Sequence, residues 1–163
     1  MKPFLILAIG GLGVSIYGHA QAADTSTVMC AQFEVNGATY TVEPTEVLSQ
    51  DFIPAHHAPR NIPIEVTLPD NVVSYIHFPI VEDGTYLVYA TLPDRLVGLK
   101  KQDGTAIAST TVDAAESCAT VLPGGLTADL ELGEITHPTP VAIEFSAGPA
   151  TAIRLIVSRN PIN

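Results

Sequence analysis

Residues 62–92, which read IPIEVTLPDNVVSYIHFPIVEDGTYLVYATL, decide the fold class. In 62–68 apolar residues alternate with polar ones, the pattern of a strand that buries one of its two faces. Glu82-Asp83-Gly84 then separates two further apolar runs, 72–80 and 85–92. Because turn-forming residues between such runs indicate strand, turn and strand, this stretch predicts three consecutive β-strands.

The same pattern continues on both sides of this stretch. Turns are indicated by Asn36-Gly37, which favours a tight hairpin because both residues tolerate positive φ, by Gln102-Asp103-Gly104 and by Gly148-Pro149. The further predicted strands are 28–35, 38–42, 96–99, 105–108, 126–132, 141–145 and 152–157. About ten short strands at such spacing predict one all-β domain, an antiparallel β-sandwich of jelly-roll type. The one candidate helix is 43–50, which can equally be a loop.

The N-terminus has the features of an export signal. Lys2 supplies a positive charge, residues 4–17 are apolar apart from glycines and one serine, and Ala20-Gln21-Ala22 fits a signal-peptidase site. The apolar run, about fourteen residues, is shorter than the ~20 that a membrane-spanning helix needs. The sequence therefore predicts a cleaved signal peptide over 1–22, one domain over 23–163 without a transmembrane segment, and a periplasmic or secreted location.

Charge and cysteine content narrow the possible partners. The chain carries a net charge of −10 at pH 7 and has no basic patch, which disfavours nucleic acid as a partner. Cys30 and Cys118 are its only cysteines, and in an exported protein such a pair predicts a disulfide. A pair of metal-binding thiolates or a redox couple is the alternative, although the chain has no CxxC motif.

Several segments of the second half resemble a known family. Residues 82–89 (EDGTYLVY) look like the "dGtYtly" strand of bacterial pre-peptidase C-terminal-like β-sandwiches, and 100–105 (KKQDGT) is similar to the hairpin that follows it there. The segments similar to the family's closing strands are 130–133, 143–145 and 153–157. The resemblance implies a non-catalytic module of a secreted bacterial protein. Some members bind calcium, but their aspartate-rich run is reduced here to KKQD, so no calcium site is carried over.

Four histidines outside the export signal are the candidate metal ligands. His56 and His57 are adjacent between two prolines, His77 lies in a predicted strand, and His137 precedes a proline. Neutral imidazole is a common ligand of zinc and copper, so the sequence predicts a zinc or copper(II) site formed by His56 or His57 with His77 and, as a further ligand, His137. Adjacent residues of a strand point to opposite faces, so both His56 and His57 can bind one ion only if the chain bends there.

The alternative is that these histidines have no common ligand. Ile76, Phe78 and Ile80 share one face of their strand, so His77 should face outward, toward solvent or a covering loop. In that case the loop histidines are solvated and His77 is an ordinary strand residue.

Catalytic motifs are absent from the sequence. It contains no Gly-x-Ser-x-Gly nucleophile elbow and no glycine-rich phosphate loop, so we expect a non-enzymatic protein. Two functions remain: an exported binding protein that chelates zinc or copper(II), or a metal-free interaction module of an envelope or extracellular assembly, with an envelope protein as its partner.

Overall fold

The computed structural model describes residues 25–36, 40–48, 58–114, 118–131 and 139–160, and the signal peptide predicted over 1–22 lies outside them. The described part is mostly β, with one α-helix and one 3₁₀ turn, Pro93–Arg95. Its elements are α1 (Thr25–Asn36), β1 (Tyr40–Val42), β2 (Ile64–Leu68), β3 (Ser74–Ile80), β4 (Gly84–Ala90), β5 (Leu96–Lys100), β6 (Ala106–Ile107), β7 (Thr110–Asp113), β8 (Gly124–Leu130), β9 (Thr139–Phe145) and β10 (Thr151–Asn160).

The strands form two sheets. One has six strands in the order β1-β2-β10-β4-β8-β7, and the other has four in the order β3-β9-β5-β6. Neighbouring strands are antiparallel except for β1 and β2, which are parallel. The prediction of a β-rich chain with mainly antiparallel pairing is therefore confirmed.

The main core lies between the sheets, because the alternating apolar residues of each point toward the other. Phe78 of β3 and Tyr86 of β4 meet across it with ring centroids 5.9 Å apart. The Tyr86 hydroxyl donates a hydrogen bond to the Glu82 carbonyl oxygen at 3.0 Å, so its polar end is satisfied although the side chain is buried. Each fully buried aliphatic or aromatic side chain contributes about 1.5–3 kcal/mol to such a core.

The N-terminal element corrects the sequence prediction. The strand predicted over 28–35 and its Asn36-Gly37 hairpin are wrong, because Thr25–Asn36 is an α-helix. Thr25, Met29 and Phe33 are buried at four-residue spacing, which gives the helix one face against the six-stranded sheet. The fold class is correspondingly mostly β with a helix rather than all-β.

Of the two alternatives predicted for 43–50, helix or loop, the described part is a loop. Residues 43–48 contain no helix, and Thr45 instead forms an isolated antiparallel bridge with Tyr75 of β3. Backbone hydrogen bonds to a sheet edge are formed here in place of the i to i−4 bonds that a helix would require.

A second apolar cluster covers the outer face of the six-stranded sheet. The predicted Cys30–Cys118 disulfide is confirmed, and it joins α1 to the short segment after residue 117 within this cluster. The buried members are Met29, Cys30, Phe33, Leu87, Tyr89, Cys118, Leu122 and Ile156. The helix is thus held by apolar packing and by a covalent bond.

Polar contacts also hold both ends of α1. The Thr25 hydroxyl donates to Oδ1 of Asn160 at 2.6 Å, and Nη2 of Arg154 donates to the Phe33 carbonyl oxygen at 3.2 Å. The Arg154 guanidinium lies 4.2 Å from the Phe33 ring centroid. A cation at the C-terminal end of a helix is favourable because it meets the unsatisfied carbonyls there.

Candidate metal site on the four-stranded sheet

The outer face of the four-stranded sheet carries His77. Ile76, Phe78 and Ile80 of β3 belong to the main core, so the side chains between them point the other way, as the alternation predicts. His77 pairs with Ala142 of β9, and Ala142 pairs with Lys100 of β5. Because directly paired residues share a face, these three form one row across the outside of the sheet.

His77 is buried, with 1% of its surface exposed, and so is Ala142 beside it. The sequence left open whether His77 faces solvent or a covering loop, and burial excludes solvent. An imidazole on the outside of a sheet is buried only if other parts of the chain lie over it. The outer face is therefore covered at this row.

The segment after β1 is attached to β3 at two places. Thr45 and Tyr75 exchange backbone hydrogen bonds of 2.9 and 2.8 Å, and the Ala58 N–H donates to the His77 carbonyl oxygen at 2.6 Å. Leu48, which follows Thr45 in the chain, lies near the turn between β5 and β6. A Cβ placed on Gly104 of that turn would lie 3.7 Å from the Leu48 Cδ1 atom. Thr45 and Ala58 thus lie at the free edge of β3, whereas Leu48 lies near the turn between β5 and β6.

His56, His57 and His137 lie outside the described residues, although His57 directly precedes Ala58 in the chain. Thr139, the first described residue after His137, pairs with Ile80, three positions from the His77–Ala142 pair. That is about 10 Å along the strands at ~3.4 Å per residue. Among the described residues, no group of three or more histidine, cysteine, aspartate or glutamate side chains could hold a metal.

A polar cluster adjoins His77 on the same face, and sequence reasoning missed it. Nζ of Lys100 lies 2.9 Å from Oε1 of Glu144, and the Tyr75 hydroxyl donates to the same oxygen at 3.5 Å. The Lys100 ammonium is 5.7 Å from the Tyr75 ring centroid. The hydrogen bond that Lys100 donates to Glu144 raises the pKa of Lys100 above its ordinary value of 10.5. Desolvation lowers this pKa, whereas the Glu144 and Tyr75 charges raise it.

This cluster has no local sequence signal, because its members come from three strands. Tyr75 pairs with Glu144 across β3 and β9, whereas Lys100 reaches Glu144 diagonally from β5. The strand register by itself predicts that these three side chains are neighbours. The cluster balances the Glu144 carboxylate with a cation close to the buried imidazole.

Comparison with known proteins does not assign the chain to a family. No protein-family model matches it, and no curated protein matches it either. The structure defines a mostly β protein of two facing sheets with a disulfide-linked helix, and the resemblance to pre-peptidase C-terminal-like domains stays a prediction. Within the described ranges, no helix has the length and hydrophobicity needed to span a membrane.

Proposed function

We propose that the protein is an exported, non-enzymatic binding protein that chelates zinc or copper(II) through His77 and His57 or His56. In this proposal residues 1–22 are a signal peptide, and the two sheets form a β-sandwich of the pre-peptidase C-terminal-like type. The observation that supports it best is the 2.6 Å hydrogen bond from the Ala58 N–H to the His77 carbonyl oxygen. It attaches to the edge of β3 the residue that directly follows the two adjacent histidines.

Covalent geometry makes this bond informative. Consecutive Cα atoms are 3.8 Å apart, and His57 directly precedes Ala58, the residue that is hydrogen-bonded to the His77 backbone. Only the neutral imidazole binds a metal, so the proposed site requires His77 in its unprotonated form. A shared ion would place each ligating nitrogen about 2.0–2.1 Å from zinc. His137, whose nearest described neighbour is paired with Ile80, is the less supported ligand.

Two further observations support export. The Cys30–Cys118 bond is of a kind that persists outside the reducing cytosol. The net charge of −10 suits a soluble exported protein and raises the concentration of cations near its surface. The ion would be bound reversibly, for storage, delivery or sensing.

Calorimetric titration tests the metal site. We expect the purified, processed protein to bind zinc or copper(II) with submicromolar affinity, and His77→Gln or His57→Gln to weaken binding at least tenfold. Asp70→Asn, a change at an exposed carboxylate in the turn before β3, is the matched control and should leave the affinity unchanged. Millimolar affinity that neither histidine change affects would contradict the proposal.

The pH dependence of the metal affinity is a second test of the site. Affinity should fall as pH decreases through about 6, because protonated histidine does not coordinate metals. An affinity that stays constant between pH 7.5 and 5 would exclude histidine ligation. Mass spectrometry of the processed protein tests export separately, with Ala23 as the expected first residue.

The edge strand β7 favours a second candidate function, that of an interaction module. β7 ends the order of the six-stranded sheet, and Thr110, Thr111 and Asp113 are exposed. Such an edge can pair with a strand of an envelope protein. Alternate N–H groups of an edge strand point away from the sheet, so one of the two variants Thr111→Pro and Val112→Pro removes a donor that a partner strand would use. That variant should abolish recovery of a partner from envelope fractions, whereas His77→Gln should not.

A further inference from the structure

An open cleft of about 500 Å³ lies at one end of the molecule, between the two sheets. The end of β3, the start of β9 and the β5–β6 turn contribute from the four-stranded sheet, and the end of β8 contributes from the six-stranded sheet. It is separate from the row that contains His77, because that row lies on the outer face of the four-stranded sheet. The cleft therefore does not include His77.

The inner part of the cleft is aliphatic. Ile80, Leu130 and Val141 are each 2% exposed and belong to the main core, and Ile107 of β6 packs against them while half-buried. Branched aliphatic side chains from both sheets thus form its floor. An apolar part of a ligand would gain about 25 cal/mol for each Å² that this floor removes from water.

The rim of the cleft is acidic. Among the described residues, three carboxylates and one cation line it: Asp103, Asp129, Glu131 and Lys101. Asp129 accepts a hydrogen bond of 2.5 Å from the Thr85 hydroxyl, and Asp103 accepts one of 2.8 Å from the Thr105 N–H. The latter bond lowers the pKa of Asp103 below its ordinary value.

The arrangement indicates the chemistry of the ligand. These carboxylates do not converge as metal ligands would, since no described group of three acidic, histidine or cysteine side chains could hold an ion. They are instead distributed around an aliphatic floor, and the described lining residues carry two more negative than positive charges. That distribution fits a molecule that carries an ammonium group on an alkyl chain, and the net charge of −10 attracts such cations to the protein.

We propose that this cleft binds aliphatic amines, with the alkyl chain on the floor formed by Ile80, Ile107, Leu130 and Val141 and the ammonium group beside Asp129 and Glu131. Polar groups at the rim fix the orientation while the apolar floor supplies contact area, as in other small-molecule sites. Neither component alone predicts the ligand.

Three six-carbon probes test the proposal on the full protein: hexylamine, hexanol and hexanoate. We expect hexylamine to shift the backbone amide resonances of Ile107 and Leu130 and to bind at least tenfold more tightly than either of the other two. Asp129→Asn combined with Glu131→Gln should reduce hexylamine affinity at least fivefold. Asp70→Asn removes a remote exposed carboxylate and should not change it.

Several outcomes would overturn the proposal. Equal binding of hexylamine and hexanol would show that the carboxylates play no part, and this comparison needs no variant. Resonance shifts spread over the whole surface, or equal losses with Asp70→Asn, would show attraction to the net charge alone. Displacement of hexylamine by equimolar calcium would assign the carboxylates to a metal instead.

Discussion

The outer faces of the two sheets are both covered, but by different chemistry. On the six-stranded sheet, α1 buries Met29 and Phe33 against Ile156, and the Cys30–Cys118 bond closes this cluster covalently. On the four-stranded sheet, the buried residue of most consequence is His77, with the Tyr75, Glu144 and Lys100 cluster beside it. The first face is covered by an apolar, cross-linked helix. On the second face the contacts are polar, and Thr45 and Ala58 are attached to the edge of β3 by backbone hydrogen bonds.

The helix-covered face is explained by its contribution to stability, whereas the face with His77 is the candidate for function. Burial of apolar side chains under α1 is favourable in itself, so this face needs no explanation beyond folding. Burial of an imidazole, by contrast, costs free energy unless its polar atoms are satisfied, so a buried histidine is not explained by hydrophobic burial. For this reason we propose the ligand site on the outer face of the four-stranded sheet.

Removal of the disulfide should have the largest effect on stability. The bond spans 88 residues of sequence, and Cys30→Ala with Cys118→Ala should lower the free energy of unfolding by about 4–5 kcal/mol because the unfolded chain regains entropy. Urea denaturation measures the loss, and reduction of the wild type should reproduce it. A loss below about 1 kcal/mol would show that packing alone holds α1 in place.

Truncation of the helix anchor should come next. Phe33→Ala should cost about 3–4 kcal/mol, because the ring is fully buried and its removal leaves a cavity beside Arg154. Ala31→Ser, on the exposed side of the same helix, is the control and should cost about 0.5 kcal/mol or less. Similar midpoints of urea unfolding for the two variants would mean that the face of α1 contributes little.

Metal-dependent stabilisation should distinguish the other face. If the proposed function holds, zinc at 100 times its dissociation constant should stabilise the wild type by about 2.7 kcal/mol and His77→Gln by much less. The disulfide-free variant, if it remains folded, should keep the full zinc effect because distant, unconnected sites act additively. Loss of the zinc effect in that variant would show that the two covers are coupled.

The strands were predictable where the pattern is local. The alternation in 62–68 and the Glu82-Asp83-Gly84 turn correspond to β2 and to the β3–β4 connection. The sequence did not reveal that β3 and β4 belong to different sheets, because pairing depends on residues far apart in the chain. Strand β7 was missed because it is short and mostly exposed, so it carries no alternation.

The errors at the N-terminus and the candidate site have a similar origin. Asn36-Gly37 favours a hairpin locally, but the four-residue spacing of Met29 and Phe33 suits a helix once the disulfide and the sheet supply its partner surface. For His77, alternation predicted the correct face. Its burial depends on parts of the chain outside β3, and no pattern within β3 encodes them.

The smallest predicted effect concerns the ion pair beside His77. Glu144 raises the pKa of Lys100 in the folded protein, so the resulting stabilisation is fully present below the unfolded-state pKa of 10.5 and is lost as pH rises through the higher folded value. Lys100→Met should therefore be slightly less stable than the wild type at pH 7–9, and the difference should disappear above both pKa values. Thermal unfolding of both proteins across pH 7–12 measures it, with the exposed Lys101→Met as control. A difference that stays constant with pH would mean that Lys100 stabilises the polar cover through its aliphatic stem against Tyr75 rather than through its charge.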